Sequence, residues 1–267
     1  MICFPNAKIN LGLHITGKRA DGYHDIETLF YPIPLKDALE VVPAPVVSFQ
    51  SSGIPLNATP EDNLVRKAYR LLNDKYPLPP SAMYLRKQIP FGAGLGGGSA
   101  DAAFTLKLLN TYAGLHLSDR ELETLAATLG ADCSFFIRNR PVIASGIGTV
   151  FEPVDLSLKG YTLCLVKPEA SVSTKEAYAA VKSALPARPL KEIAAMPVSE
   201  WKHHMVNDFE PNVFRKYPVI REIKEQLYAQ GAVYAAMSGS GSAVFGLFEQ
   251  EAHVRFPDCF VWNGLPE

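Results

Sequence analysis

An α+β fold is what this sequence predicts, and three observations carry it. Strand-like segments come in runs rather than alternating strictly with helices, which is the α+β pattern. The chain has 267 residues, enough for one large domain or two modest ones, each able to bury a core. Apolar residues make up 48% and charged residues 20%, the balance of an ordinary globular protein.

The elements follow in order. Residues 2–16 alternate and then run apolar through Ile9, Leu11, Leu13 and Ile15, which predicts a strand. Asp21-Gly22 is a turn signal of the hairpin type, and residues 26–33 and 38–43 are further strands. Thr59-Pro60-Glu61-Asp62 has the form of a helix start, with a capping threonine, a proline at the first helical position and then acids. Leu64, Val65, Ala68, Leu71 and Leu72 continue it at helical spacing. Residues 82–89 read as a strand closed by Pro90. Beyond a glycine stretch comes a helix with Ala102, Ala103, Leu106 and Leu109 on one face. Ser118-Asp119-Arg120-Glu121 is a capping box that opens the next helix, and Gly130 ends it. Strands are expected at 142–151 and 161–166, and short helices among the prolines of 184–197. A helix at 218–229, a strand at 232–236, a second glycine loop at 238–242 and a strand at 243–248 complete the chain. A boundary near 153 divides it into domains 1–153 and 154–267.

Charge excludes one class of partner. Twenty-six Lys+Arg against 27 Asp+Glu leave a formal charge of −1, so there is no basic field to wrap a nucleic acid or an anionic membrane. No apolar run reaches the roughly 18 residues of a membrane helix, and the start of the chain has no secretory pattern. Cys3, Cys133, Cys164 and Cys259 are far apart and form no C-x-x-C pair, so they read as reduced thiols of a cytoplasmic protein. No H-E-x-x-H motif is present, and a structural zinc is not expected. His203-His204 reads as a solvated helix face, while His14, His116 and His253 carry no motif.

The densest signal is Pro90-Phe91-Gly92-Ala93-Gly94-Leu95-Gly96-Gly97-Gly98-Ser99-Ala100-Asp101, in which five of the seven residues 92–98 are glycine. A glycine loop running into a helix is a phosphate-binding device, because missing Cβ atoms let backbone N–H groups converge on an anion at the helix N-terminus. Ser99 would stand near the first turn, where a hydroxyl can touch a phosphate or a magnesium ion. G-x-x-x-x-G-K-[ST] is absent, so this is not a P-loop. G-x-G-x-x-G is satisfied, but the acid at the expected distance, Asp119, opens a helix instead of ending a strand, as a dinucleotide site requires. The protein-kinase version fails for want of its valine and of H-R-D.

Pro90 through Ala103 resembles the second motif of the GHMP kinases, with Gly97 and Gly98 where most members carry serines. The loop G-L-G-G-G-S is similar to that of one branch, which phosphorylates 4-diphosphocytidyl-2-C-methyl-D-erythritol. Pro5-Asn6-Ala7-Lys8-Ile9-Asn10-Leu11, Arg19-Ala20-Asp21-Gly22-Tyr23-His24 and Gly130-Ala131-Asp132-Cys133-Ser134-Phe135-Phe136 resemble three further motifs of that branch. Ser238-Gly239-Ser240-Gly241-Ser242 resembles the family's third glycine motif. The likeness runs from residue 5 to about 248, in order and at matching spacing. Two departures stand out: Ala100 in place of a second serine, and Cys133-Ser134 in place of valine-proline.

The resemblance implies a two-domain GHMP fold with the active site in the cleft between domains. It implies ATP and Mg2+ as cofactors, and transfer of the γ-phosphate to the 2-hydroxyl of the cytidine-diphosphate-linked polyol. That step belongs to the non-mevalonate route to isoprenoid precursors. Asp132 is then the catalytic base and Lys8 the cation that keeps it ionised; read alone, they are a turn aspartate and a snorkelling surface lysine. Tyr23 and Tyr178 are implied to cover the faces of the cytosine and His24 to read its edge; read alone, Tyr23 and His24 are a hairpin with an exposed aromatic. Asn10 and Thr174 are implied substrate contacts. Asn63 is implied to lie near the adenine, or is simply a polar residue in a first helical turn. A sister kinase of the mevalonate or homoserine type, or a non-catalytic binding protein of the same fold, is the alternative.

Overall fold

The structure, a computed structural model, describes residues 1–55, 60–179, 181, 183–252 and 254–266. Thr59 and His253 lie outside the described residues. The early strands are β1 (Ile2–Cys3), β2 (Asn6–Lys18), β3 (His24–Lys36), β4 (Ala38–Pro43) and β5 (Ser48–Gly53). Then come α1 (Leu64–Asn73), β6 (Ser81–Lys87), α2 (Gly97–Tyr112), α3 (Asp119–Ala127), α4 (Phe135–Arg138), β7 (Val142–Ser145), β8 (Val150–Pro153) and β9 (Thr162–Pro168). The last third holds α5 (Thr174–Tyr178), α6 (Leu190–Ala194), α7 (Val198–His204), α8 (Glu210–Lys216), α9 (Pro218–Ala229), β10 (Tyr234–Met237), β11 (Val244–Phe248) and β12 (Cys259–Gly264). No helix among the described residues is long and apolar enough to cross a membrane.

Contacts group the chain differently from a single cut at 153. Met1–Ala7, Leu35–Phe91 and Gly96–Arg140 form one compact unit; Lys8–Pro34, Gly92–Leu95 and everything from Pro141 onward form the other. Sheet pairing explains the interleaving. β2 and β3 join β7 and β8 in one sheet, in the order β2-β3-β7-β8, so they leave their sequence neighbours. Lys8 therefore belongs with the C-terminal half.

In the first unit a four-stranded sheet has the order β1-β4-β6-β5. β4 and β6 run antiparallel with Val41 opposite Met83, and β5 runs parallel to β6. Along β6 the side chains alternate: Met83, Leu85 and Lys87 are buried, Tyr84 and Arg86 exposed. The register that buries the apolar pair thus buries Lys87 as well. α2 packs against α1, α3, α4, β1 and β4. It is buried on more than one stripe, as a central helix must be.

The second unit adds a sheet of order β10-β11-β9-β12, antiparallel throughout. α9 lies on β9, β10 and β11. Its Ile220, Ile223 and Leu227 meet Cys164, Val166 and Val244 in one apolar core. Burial of this stripe is what holds a helix of modest length.

Some boundaries differ from the expectation. The expected strand at 142–151 is a hairpin, β7 and β8, turned through Gly146 and Gly148 at φ +63° and +93°. α1 begins only after a short 3-10 turn, Pro60–Asp62, and its cap is Asn63. The capping box at Ser118 and Glu121 is present, but α3 ends at Ala127, short of Gly130. β5 escaped notice because it is polar and mostly exposed, and pairs through its backbone alone with β6. The four cysteines are free thiols.

Candidate active site

Lys8 is 3% exposed, so it is no surface lysine. Its Nζ donates to Asn10 Oδ1 at 2.6 Å and stands 4.7 Å from the centre of the Phe30 ring. A relay of donors decides how Asn10 is turned. The Thr28 hydroxyl donates to the carbonyl of Gly12 at 2.7 Å, so its oxygen is left to accept from Asn10 Nδ2 at 2.8 Å. That leaves Asn10 Oδ1 as the acceptor for Lys8. Lys8 and Asn10, two residues apart on one strand, are thereby brought together.

The first part of the glycine loop is tied to the second loop. The Ser238 hydroxyl donates to Gly94 O at 3.0 Å and accepts from Asn10 N at 3.2 Å. Ala243 N donates to Ala93 O at 3.2 Å, and Lys8 N to Leu95 O at 3.0 Å. Gly94 has φ +74°, and a Cβ there would collide with the carbonyl oxygen of Ser238, so only glycine allows this approach. Asn207, 2% exposed, donates to the carbonyls of Met237 and Gly239, each at 2.8 Å. Sequence reading missed Asn207. Its partners lie 30 and 32 positions away, and nothing local marks it.

The aromatic residues are only partly gathered. His24 stacks on Tyr178 with ring centres 4.9 Å apart and 22° between planes, and Phe209 meets Tyr178 edge-on at 4.8 Å. The ring expected to read the base thus covers the ring expected to stack on it. Tyr23 is 63% exposed and stands outside this stack, as its plain reading has it. Thr174 opens α5, one turn before Tyr178 on the same helix face, and is exposed.

The first unit carries the other predicted residues. Pro90 is buried and Phe91 exposed. Gly96 precedes α2 in the left-handed conformation, φ 69°, with no side-chain cap. Ala100 N donates to Gly96 O at 2.8 Å, and the N–H groups of Gly97, Gly98 and Ser99 before it meet no side-chain acceptor from the cap. Ala100 is fully buried, so the position that lacks the usual serine is filled by packing. Burial pushes the Cys133 thiol up to about 11. Ser99, in the first turn of α2, acts on that thiol and lowers its pKa, while the neighbouring Asp132 charge adds to the rise. Asp132 is half-buried in the turn between α3 and α4, next to Cys133 in sequence. Asn63 caps α1, its Oδ1 accepting from Val65 N at 2.8 Å. A Cβ at Gly98 would stand 3.5 Å from Leu64 Cδ1, and α1 packs on α2, so the starts of the two helices are adjacent.

Comparison with known proteins now decides the family. Residues 63–140 match the GHMP kinases N terminal domain and residues 190–256 the GHMP kinases C terminal domain. A 4-diphosphocytidyl-2-C-methyl-D-erythritol kinase of Parabacteroides distasonis is 61% identical over 99% of each chain. The chain belongs to this branch of the GHMP kinases. A Bacteroides fragilis protein of the same name is 60% identical over 97% of this chain and 96% of its own. A crystal structure of 4-(cytidine 5'-diphospho)-2C-methyl-D-erythritol kinase superposes with a TM-score of 0.78 at 34% identity, covering 92% of this chain and 90% of that one. The α+β GHMP fold expected from the glycine motifs is the fold of the family.

Proposed function

We propose that the protein is a cytoplasmic ATP-dependent kinase that phosphorylates the 2-hydroxyl of 4-diphosphocytidyl-2-C-methyl-D-erythritol, in the non-mevalonate route to isoprenoid precursors. Membership of that kinase family across nearly the whole chain carries the reading.

The residues fit the chemistry. Phosphoryl transfer needs positioning and charge stabilisation more than a strong base. The uncapped first turn of α2 suits the phosphates of ATP. Among the described residues no group of three or more His, Cys, Asp or Glu is placed to hold a metal. A magnesium ion carried on the nucleotide would take Ser99 as an oxygen donor from the protein. When bound, it would neutralise phosphate charge. Asp132 accepts the proton of the attacking hydroxyl. Lys8, its direction set by Asn10, steadies that hydroxyl. Asn10 and Thr174 contact the polyol end of the substrate, Asn63 lies toward the adenine, and Tyr23 and Tyr178 flank the cytosine. A base that stacks on the Tyr178 face now covered by His24 displaces the imidazole, which then turns to the base's polar edge.

The test is a coupled ADP-release assay with magnesium ATP, comparing this substrate with mevalonate and homoserine. Turnover should appear only with the cytidine compound and fall about 10²–10⁴-fold in Asp132→Asn. Turnover of another alcohol would make the protein a sister kinase, and ATP binding with no turnover a binding protein.

A further inference from the structure

Beneath Gly97 lies a cluster of buried ionisable groups that the proposed reaction does not use. Lys87, Asp37 and Asp101 are 3%, 0% and 3% exposed. Lys87 Nζ donates to Asp37 Oδ2 and, at 2.7 Å, to Asp101 Oδ2. Asp37 Oδ1 accepts from the backbone N–H groups of Gln88, at 2.5 Å, and Ile89, at 2.9 Å. Each member comes from a different segment: Asp37 from the junction of β3 and β4, Lys87 from the end of β6, and Asp101 from the first turns of α2. Residues 87–89 lead into the glycine loop and residues 97–101 lead out of it. Gly97 closes over the cluster, since a Cβ there would stand 2.8 Å from Ile89 Cγ2 and 3.4 Å from Lys87 Nζ.

We infer that Lys87, Asp37 and Asp101 form an ionic clamp that draws the two ends of the glycine loop together and so sets the shape in which the loop receives the nucleotide's phosphates. The inference rests on the kinase reading above. The three are positioning residues and touch no substrate. The physical case is the cost of burial. One buried ammonium and two buried carboxyls are held by the bonds they make to one another, even with Asp101 Oδ1 unpartnered, so a displacement of either loop end breaks those bonds in a dry interior. Such a clamp has a narrow minimum. A loop rich in glycine has little stiffness of its own and needs anchors at its ends.

The test combines amide hydrogen exchange on the full-length protein without nucleotide with steady-state kinetics. Asp101→Ala releases the downstream end, and Asp37→Ala releases the upstream end by withdrawing the acceptor of the Gln88 and Ile89 amides. Should one variant fail to fold, the other decides. Exchange across 88–101 is expected to speed up by about tenfold or more while 218–229, in α9, keeps the parent rate. KM for ATP is expected to rise about tenfold with kcat within roughly threefold, and Asp101→Asn, which still accepts from Lys87, should restore most of both. Unchanged exchange at 88–101, equal acceleration in α9, or no rescue by asparagine would overturn the clamp. A parent that turns over no ATP would instead sink the kinase reading, and the exchange experiment would still decide the clamp.

Discussion

At the flanks of the first glycine loop the fixing groups are ions, whereas at the second loop they are neutral amides and hydroxyls. Lys87, Asp37 and Asp101 hold the segments before and after residues 92–96. Asn207, Ser238 and the backbone of Gly94 hold residues 237–239. Both arrangements are buried and both join segments far apart in sequence. They differ in how they fail. Removing one ion strands a charge, at a cost of about 3–5 kcal/mol. Removing a neutral donor strands a carbonyl, at about 1–3 kcal/mol. Only the ionic arrangement can respond to pH.

The sharpest way to break the comparison is to remove the shared cation. Lys87→Ala leaves two buried carboxyls facing each other and should lose roughly 3–5 kcal/mol of stability in urea unfolding. A loss under about 1 kcal/mol would mean that the cluster is more hydrated than its burial indicates. Next in size is Asn207→Ala, which strands the carbonyls of Met237 and Gly239 and should cost about 2–3 kcal/mol, equally at pH 6 and pH 8. A pH-dependent loss would contradict the neutral character of that network.

The response to pH separates the two mechanisms most cleanly. Burial raises the Asp101 carboxyl from 3.8 to about 8, with Lys87 opposing the rise and Asp37 adding to it. Between those values the folded protein holds a proton that the unfolded chain has released. The contribution of Asp101 to stability is therefore fully present below the unfolded value and declines as pH rises toward about 8. Asp101→Asn does not titrate, so its Tm should gain on the parent's by roughly 7 °C or more between pH 5 and pH 8. A constant difference in Tm across that range would show that Asp101 stays ionised.

Local pattern explains why some residues were legible before the structure and others were not. The glycine loop, the Asp132 loop and the Lys8 strand are contiguous motifs, so they could be recognised segment by segment. α9 was legible because its apolar stripe has helical spacing, and the Ser118 cap because its partner is three residues away. Lys87 was legible in principle: it continues the alternation of Met83 and Leu85, and a lysine on the buried side of a strand demands a counter-ion. Its carboxyl partners are 50 and 14 positions away, and no period connects them. β5 had no legible pattern, since its pairing is made by backbone groups common to every residue.

By itself the sequence determined the fold class, because helical and strand periods and caps are written in neighbouring residues, and the family, through the resemblance of its contiguous motifs. The tertiary structure alone decided three things. It moved Lys8 into the unit of the C-terminal half, because β2 and β3 pair with β7 and β8. It laid His24 on Tyr178, two rings 154 positions apart. It assembled Lys87, Asp37 and Asp101 into one cluster. The reason is the same in each case. Strand pairing and the pairing of buried charges are satisfied wherever the folded chain brings partners together, and sequence separation leaves no mark on that choice.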